Sequence, residues 1–151
     1  MVITLYRQEL IGDLRKKSHG EVSNIVDVEA RYRAEAGAEK MDDILRCVEE
    51  GVGRLRRCCL RYLKPGYTEQ VDDVVVSPDE YRIELVLSER RALGKAEPLK
   101  TTMHAFVVEY ALSKFYSDVA QQELSNKHSL LALDEERVLT ELLYTKLPPR
   151  L

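Results

Sequence analysis

The residues of this sequence best suited to metal or nucleophilic chemistry are three histidines and three cysteines: His19, His104, His128, Cys47, Cys58 and Cys59. No histidine lies three or four residues from another, and none belongs to an H-E-x-x-H pattern, so none forms a paired-ligand motif on one helix. Cys58 and Cys59 are adjacent, whereas zinc and thioredoxin-like sites space their thiols. We therefore expect structural or surface histidines, reduced thiols, no metal and no cofactor.

Other catalytic signatures are also missing from the sequence. It contains no G-x-S-x-G motif, no phosphate-binding glycine loop and no dinucleotide-binding fingerprint. Its acidic pairs, at 42–43 and 72–73, do not follow the calcium-loop pattern. The sequence therefore predicts a protein that is not an enzyme and has no small-molecule substrate.

Basic residues provide a more specific candidate site, which we call the basic stripe: Arg54, Arg57, Arg61 and Lys64. Their spacing of three, four and three places them on one face of a helix. One interpretation is a solvated face that complements the helix dipole. The other is a surface that contacts an acidic partner subunit or a DNA backbone.

Composition limits the classes of protein to which the chain can belong. It has 151 residues and a net charge of -3, which argues against a protein that mainly coats nucleic acid. No apolar run approaches the length of about 20 residues that a membrane helix needs. The first residues carry Arg7 and Glu9 and contain no signal-peptide core. We expect a single cytoplasmic domain over 1–151, without membrane contact.

The elements that must position these residues are mostly helices, predicted over 8–17, 28–36, 38–63, 98–124 and 130–146. The third carries a continuous apolar stripe at spacings of four and three: Met41, Leu45, Val48, Val52, Leu55, Cys59 and Tyr62. Such a stripe predicts that this helix packs along another helix. Gly51 and Gly53 interrupt it and indicate either a bend or a close crossing by another backbone.

Between the long helices, the pattern changes to that of a β-hairpin. Residues 71–76 and 81–88 read as strands, and the turn between them contains Pro78 and Asp79. Residues 2–5 are β-prone and fit either a strand or the first turn of a helix. A two-stranded hairpin is marginal in water, so its apolar residues need a cover. That cover is either the helices of the same chain or a neighbouring subunit, and the apolar residues are Ile83, Leu85 and Leu87.

Two segments and the hairpin between them resemble the small head–tail connector (head-completion) proteins of tailed phages and prophages. The segments are MDDILRCVEEGVGRL at 41–55, similar to their early amphipathic helix, and TTMHAFVVEYALSKFY at 101–116, similar to their central helix. The closing LLYTKLPP at 142–149 also looks like small prophage structural proteins. The cysteines and the basic stripe depart from the family pattern. The resemblance implies a ring-forming adaptor in a DNA-containing particle, with portal or tail proteins as partners.

These observations predict a mainly α fold, a bundle of four to five helices with a β-hairpin inserted at about 68–89. They predict a structural assembly protein that forms a homo-oligomer, in the cytoplasm or the virion. The hairpin tip, its apolar residues and the basic stripe are the candidate interaction residues. The alternative is a small helical regulator or DNA-binding module that uses the basic stripe.

Overall fold

The computed structural model describes residues 1–64 and 79–144. These residues form a two-stranded sheet and six α-helices, in the order β1 (Val2–Tyr6), α1 (Arg7–Val22), α2 (Val28–Ala34), α3 (Met41–Cys58), β2 (Glu80–Glu84), α4 (Glu89–Ala92), α5 (Ala96–Asp118) and α6 (Gln122–Tyr144). Short 3-10 turns, Ala38–Lys40 and Leu60–Tyr62, flank α3. The predicted fold class, a mainly α bundle with a β-hairpin, is confirmed in its helical content and its small antiparallel sheet. The described residues contain six α-helices where four to five were predicted, and β2 pairs with the N-terminal strand β1.

Helix α5 is the centre of the bundle. It contacts α1, α3, α6 and β1. Its largest buried side chains include Phe106, Phe115 and Tyr116. Because α5 carries apolar residues on several sides, each of those sides must pack against a neighbour. Helices α1, α3 and α6 provide this packing. No helix among the described residues is long and apolar enough to cross a membrane.

Helix α3 packs on α5 through the predicted apolar stripe. Val48, Val52, Leu55 and Cys59 are buried, while the stripe's two ends are partly exposed. At Gly51 the two helices cross closely, since an added Cβ would lie 3.2 Å from the carbonyl oxygen of Val107. Of the two interpretations of this glycine, the structure supports the close crossing.

Strand β2 pairs antiparallel with β1, with Ile3 opposite Ile83 and Leu5 opposite Tyr81. Residues 2–5 are therefore in a strand rather than in the first turn of α1. The expected strand over 81–88 is present as Glu80–Glu84, and its predicted hairpin partner at 71–76 lies outside the described residues. A pairing between segments so far apart in the chain leaves no local sequence signal, which is why it was not predicted.

Several predicted helix ends are wrong. The third helix, predicted over 38–63, spans Met41–Cys58. Helix α1 does not stop at Ser18 but continues to Val22, because Ser18 is buried and its hydroxyl accepts a hydrogen bond from the backbone N–H of Ala36 at 2.9 Å. The break between the last two helices falls at 119–121 and not at 125–127. Ala120 adopts a left-handed conformation there, with φ of 61°.

Candidate functional site

A cluster of charged side chains lies between α1, α5 and α6, centred on the buried His128 of α6. The ring nitrogen Nε2 of His128 lies 2.6 Å from Oε1 of Glu21 on α1. Its other ring nitrogen, Nδ1, contacts Oε2 of Glu109 on α5. The three side chains are only 3%, 16% and 7% exposed. We call these residues, with the two lysines described next, the His128 cluster.

Two lysines complete the His128 cluster at its solvent side. Lys17 places its Nζ 2.5 Å from Glu109, and Lys127 places its Nζ 3.0 Å from Glu21. The ring of Tyr116 stacks on the imidazole with centroids 5.5 Å apart. Each carboxylate is therefore shared between the histidine and one lysine, which is what a buried acid needs to remain charged.

Carboxylates contact the imidazole of His128 on both sides of the ring. A neutral imidazole has one N–H donor, whereas both nitrogens of His128 face carboxylate oxygens. Both carboxylate contacts can be hydrogen bonds at the same time only when each ring nitrogen carries a hydrogen. Burial alone would raise the pKa of Glu109, but hydrogen bonds and charge from His128 and Lys17 outweigh burial, and the pKa is lowered from its ordinary value.

The same geometry limits what the His128 cluster can do chemically. His128 is 2% exposed, and both of its ring nitrogens already have partners. Because a carboxylate oxygen lies against each ring nitrogen, neither nitrogen is open to a substrate or a metal ion. Within the described ranges, no group of histidine, cysteine and acidic side chains could hold a metal ion. An open groove of about 650 Å³ runs past the cluster between α1 and α6.

The cysteines are held as protonated thiols. Burial raises the pKa of Cys47 and of Cys59 to about 12. Burial, together with a hydrogen bond donated to Glu136 at 3.3 Å, raises the pKa of Cys58 to about 11. Since the thiolate is the nucleophile, these thiols are weakly reactive near neutral pH.

The basic stripe is largely engaged within the chain. Three of its members contact other elements: Arg54 with Glu136 (3.5 Å), Arg61 with Tyr144 (3.0 Å) and Lys64 with Glu84 (3.4 Å). Arg57 is exposed in a shallow groove beside Tyr110 and Lys114. Only Arg54 and Arg57 lie on α3, which ends at Cys58. Arg61 lies in the 3-10 turn Leu60–Tyr62 and Lys64 follows that turn, so the prediction that the four residues share one face of a single helix is wrong. A contact of these residues with an acidic partner or with DNA stays a prediction.

The predicted interaction residues of the hairpin are distributed differently. Ile83 and Leu85 are buried in the chain's own core, and Leu87 packs against that core while half-buried. The helices of the same chain therefore cover Ile83 and Leu85, and these two side chains cannot serve as an exposed docking surface. The backbone oxygen of Asp79 accepts a hydrogen bond from the N–H of Arg7 at 2.9 Å. Pro78 lies outside the described residues.

An unpredicted apolar surface lies on α6. Leu130 and Leu133 are 65% and 59% exposed, and they share the face of α6 that carries Asp134 and Arg137. We call these four residues the outer face of α6. The adjacent stripe of the helix carries Leu131 and Val138, which are 37% and 40% exposed. Four exposed aliphatic side chains on one helix are more than the scattered single residues normal for a protein surface.

Comparison with protein-family models, curated proteins and solved structures gives no match to this chain.

Sequence analysis missed the His128 cluster because its three central residues come from three helices. One signal for it was present. Glu109 is the single charged residue within the apolar run AFVVEYAL at 105–112. A carboxylate in the middle of a buried helix requires a charged partner, so this residue predicts a buried cation facing it. The outer face of α6 had a weaker signal, the adjacent leucines 130–131 and Leu133 within a polar helix.

Proposed function

We propose that this protein is a structural assembly subunit that associates with further copies of itself through the outer face of α6. The observation that carries this proposal is the exposure of Leu130 and Leu133 on a helix that is otherwise well packed. Apolar surface of this kind is stabilised when a second protein removes it from water. The proposed role requires no cofactor and no catalytic step.

The charges of the same face favour another copy as the occupant. Asp134 and Arg137 lie 3.6 Å apart on the outer face, and their side chains are 65% and 71% exposed. Each copy therefore presents one acid and one base beside its two leucines. A second copy can place its Arg137 against Asp134 and its Asp134 against Arg137, so that the surface complements itself.

The resemblance to phage head–tail connectors extends this proposal to a specific role. On that basis the subunits form a ring in a virion, bound to portal or tail proteins, and the protein is found in the cytoplasm and in assembled particles. Because a self-complementary contact closes a pair, the outer face of α6 joins subunits two by two, and the ring requires a second, different contact between the pairs. The alternative, a regulator that binds DNA through the basic stripe, has less support because Arg54, Arg61 and Lys64 already contact other residues of the chain.

Sedimentation velocity over a concentration series tests the proposal. The native chain is expected to show a concentration-dependent rise in mass, and the Leu130→Glu/Leu133→Glu variant is expected to stay a single chain. Val26→Glu/Val28→Glu is the matched control, since these valines are 92% and 72% exposed and lie near α2. The control is expected to associate like the native chain.

Charge-reversal variants of Asp134 and Arg137 distinguish the proposed self-complementary contact from a contact that depends on the leucines alone. Asp134→Arg and Arg137→Asp should each weaken association, because each places like charges together across the interface. The variant with both changes should recover association, since the pair is restored in reverse. Association that persists in the leucine variant, or native chain that stays monomeric alone and beside portal or tail proteins, contradicts the proposal.

A further inference from the structure

The described part of the chain contributes two strands to the sheet, and the far side of β1 has no strand beside it there. The phase of the ladder shows which backbone groups face that side. The backbone nitrogen of Met1 donates to the oxygen of Leu85 at 3.0 Å, and the N–H of Leu85 donates back to the oxygen of Met1 at 2.8 Å. Pairs that exchange hydrogen bonds alternate with pairs that do not. The residues of β1 that turn their N–H and C=O groups away from β2 are therefore Val2, Thr4 and Tyr6. We call these three residues the β1 edge.

The side chains on the exposed face of the sheet form a charged row and an uncharged row. The row on β2 consists of Glu80, Arg82 and Glu84, and the row on β1 is the β1 edge itself. Val2 and Tyr6 are 55% and 39% exposed. Proteins commonly protect an open strand with a charge, a proline or a bulge. The strand VITLY contains no charge and no proline, and its register with β2 is continuous. The protected strand is therefore β2, whereas β1 is open to a further strand.

We propose that the β1 edge pairs with the β1 edge of a second copy of this chain, antiparallel and about a two-fold axis at Thr4. This axis places Thr4 of each copy opposite its equivalent, and Val2 opposite the partner's Tyr6. Each N–H of the edge then meets a C=O of the other copy, as an antiparallel ladder requires. The two exposed apolar side chains meet as a pair of aromatic and β-branched residues, which is a favourable cross-strand combination.

The uncharged row favours a second copy as the occupant. Like charges in directly opposite positions destabilise a strand pair, and self-pairing of β1 brings no such charges together. The spacing of the edge is also symmetric, with one exposed apolar residue on each side of Thr4. A surface that matches itself under a two-fold rotation is what a contact between two identical subunits needs.

The edge contact is small beside the interfaces of about 1,200–2,000 Å² that hold stable complexes together. It is therefore weak between single chains. Pairs of chains joined through the outer face of α6 carry two edges each, so alternation of the two contacts can close a ring whose last contact is intramolecular. This role between pairs rests on the proposed function, whereas the pairing of the edges does not.

Disulfide trapping tests the edge contact even where it is short-lived. Across the two-fold axis, a hydrogen-bonded pair places the two Cα atoms about 5.5 Å apart, a distance that a disulfide spans. Oxidation of the Thr4→Cys variant is therefore expected to link two chains. The native cysteines do not compete, because they are held as protonated thiols. The variant also carries Leu130→Glu/Leu133→Glu, so that pairing through α6 plays no part.

Arg82→Cys in the same background is the matched control. Arg82 is exposed on the same face of the sheet and lies opposite Thr4, but it belongs to β2 and is one strand away from the edge. Its linked dimer should form roughly tenfold more slowly than that of Thr4→Cys, since only the edge residue meets its equivalent at a raised effective concentration.

Sedimentation velocity of chains with the native outer face of α6 tests the contact between pairs. The native chain is expected to reach species larger than a pair. Thr4→Lys should stop at the pair, because two lysines face each other across the axis. An equal mixture of Thr4→Lys and Thr4→Glu chains should recover the larger species, and this recovery also shows that both variants fold.

Equal rates of disulfide formation in the two cysteine variants overturn the inference, and so does a Thr4→Lys variant that reaches the same species as the native chain. A native chain that stops at the pair contradicts the edge contact and leaves the proposed function intact. Efficient trapping of Thr4→Cys, together with association that the leucine substitutions do not change, supports the edge contact and contradicts the proposed function instead.

Discussion

Glu109 shows at the scale of a single residue how this chain keeps a charge in its interior. The side chain is 7% exposed and lies in an apolar stretch of α5. Burial of an isolated carboxylate is costly, but here the acid receives hydrogen bonds from His128 and Lys17. The cost is offset only while all three groups keep their charges, so the residues of the His128 cluster depend on one another.

Glu109→Gln is expected to lower the free energy of unfolding at neutral pH by about 2–4 kcal/mol, because it removes one partner of a buried charged network. The lowered pKa of Glu109 adds a pH dependence. Its stabilising contribution is present above the ordinary pKa of 4.5 and is lost as the pH falls through the lower folded value. Native protein should therefore lose more stability than the variant between neutral pH and about pH 3, as measured by urea unfolding.

Glu135→Gln is the matched control for this substitution. Burial and the nearby charge of Glu109 raise the pKa of Glu135, so ionisation of this acid opposes folding at neutral pH. Removal of its charge should leave stability unchanged or slightly increased. Equal losses in the two variants would mean that Glu109 contributes no specific contact.

The sequence predicts the role of a single residue only where nearby residues in the chain determine that role. Asp27 directly precedes α2, and its side chain accepts a hydrogen bond from the N–H of Glu29 at 3.1 Å, a capping contact that involves only residues close in the chain. Cys59 was placed on the apolar stripe and is buried there. His128 was expected to be structural or exposed, but its two carboxylate partners could not be inferred because they are brought to it by the packing of separate helices.

At the scale of elements, the turn between α5 and α6 is unusual because it contains no glycine. Ala120 adopts φ of 61°, a left-handed conformation that an L-residue other than glycine adopts at a cost of about 1–2 kcal/mol. Two backbone hydrogen bonds hold it there: the N–H of Ala120 donates to Ser117 at 3.2 Å, and the N–H of Gln121 donates to Tyr116 at 2.8 Å. The two long helices consequently reverse direction within three residues.

Ala120→Gly should stabilise the protein by about 0.5–1 kcal/mol. The substitution removes the left-handed penalty, and the greater freedom of glycine in the unfolded chain cancels part of that gain. Gly94→Ala is the opposite control, since Gly94 has φ of 72° with open space where its Cβ would lie, so that only backbone strain changes. It should destabilise the protein by about 1 kcal/mol. Urea midpoints measure both, and a lower midpoint for Ala120→Gly would refute the strain argument.

A comparison of this turn with the apolar stripe on α3 shows which elements could be predicted from the sequence. The stripe on α3 was recognised because seven residues repeat a helical spacing, and its burial against α5 follows from that pattern alone. The reversal at 119–121 was missed because Val119, Ala120 and Gln121 are ordinary helix residues. Ser125, which looked like a break, lies inside α6 and donates a hydrogen bond to the backbone oxygen of Ser113 at 2.9 Å.

At the scale of the whole molecule, the contacts between elements differ greatly in the number of residues that separate the two elements along the chain. Helices α5 and α6 are joined by a connection of three residues, whereas α1, α2 and α3 lie between β1 and β2 along the chain. Closing a long loop costs more entropy than closing a short one. The helical pair is therefore expected to form before the sheet during folding.

Folding kinetics of two core substitutions test this order. Leu139→Ala, in α6, should slow folding, because its contacts with α5 form before the transition state. Ile3→Ala, in β1, should mainly accelerate unfolding, because the pairing with β2 forms afterwards. Both side chains are buried, and each truncation should cost about 2–5 kcal/mol, enough for reliable kinetics. The reverse assignment of rates would place the sheet in the folding nucleus.

The antiparallel register of β1 and β2 also determines how the molecule responds to mechanical tension. Val2 lies opposite Glu84, and Tyr6 lies opposite Glu80, so the first residue of β1 and the last residue of β2 are at the same end of the sheet. A load applied between the N-terminal strand and the chain beyond Glu84 breaks the ladder bonds one after another, because it opens the sheet like a zipper instead of sliding the strands. The sheet is therefore the part that yields first under load, and the pair of α5 and α6 remains intact when it opens.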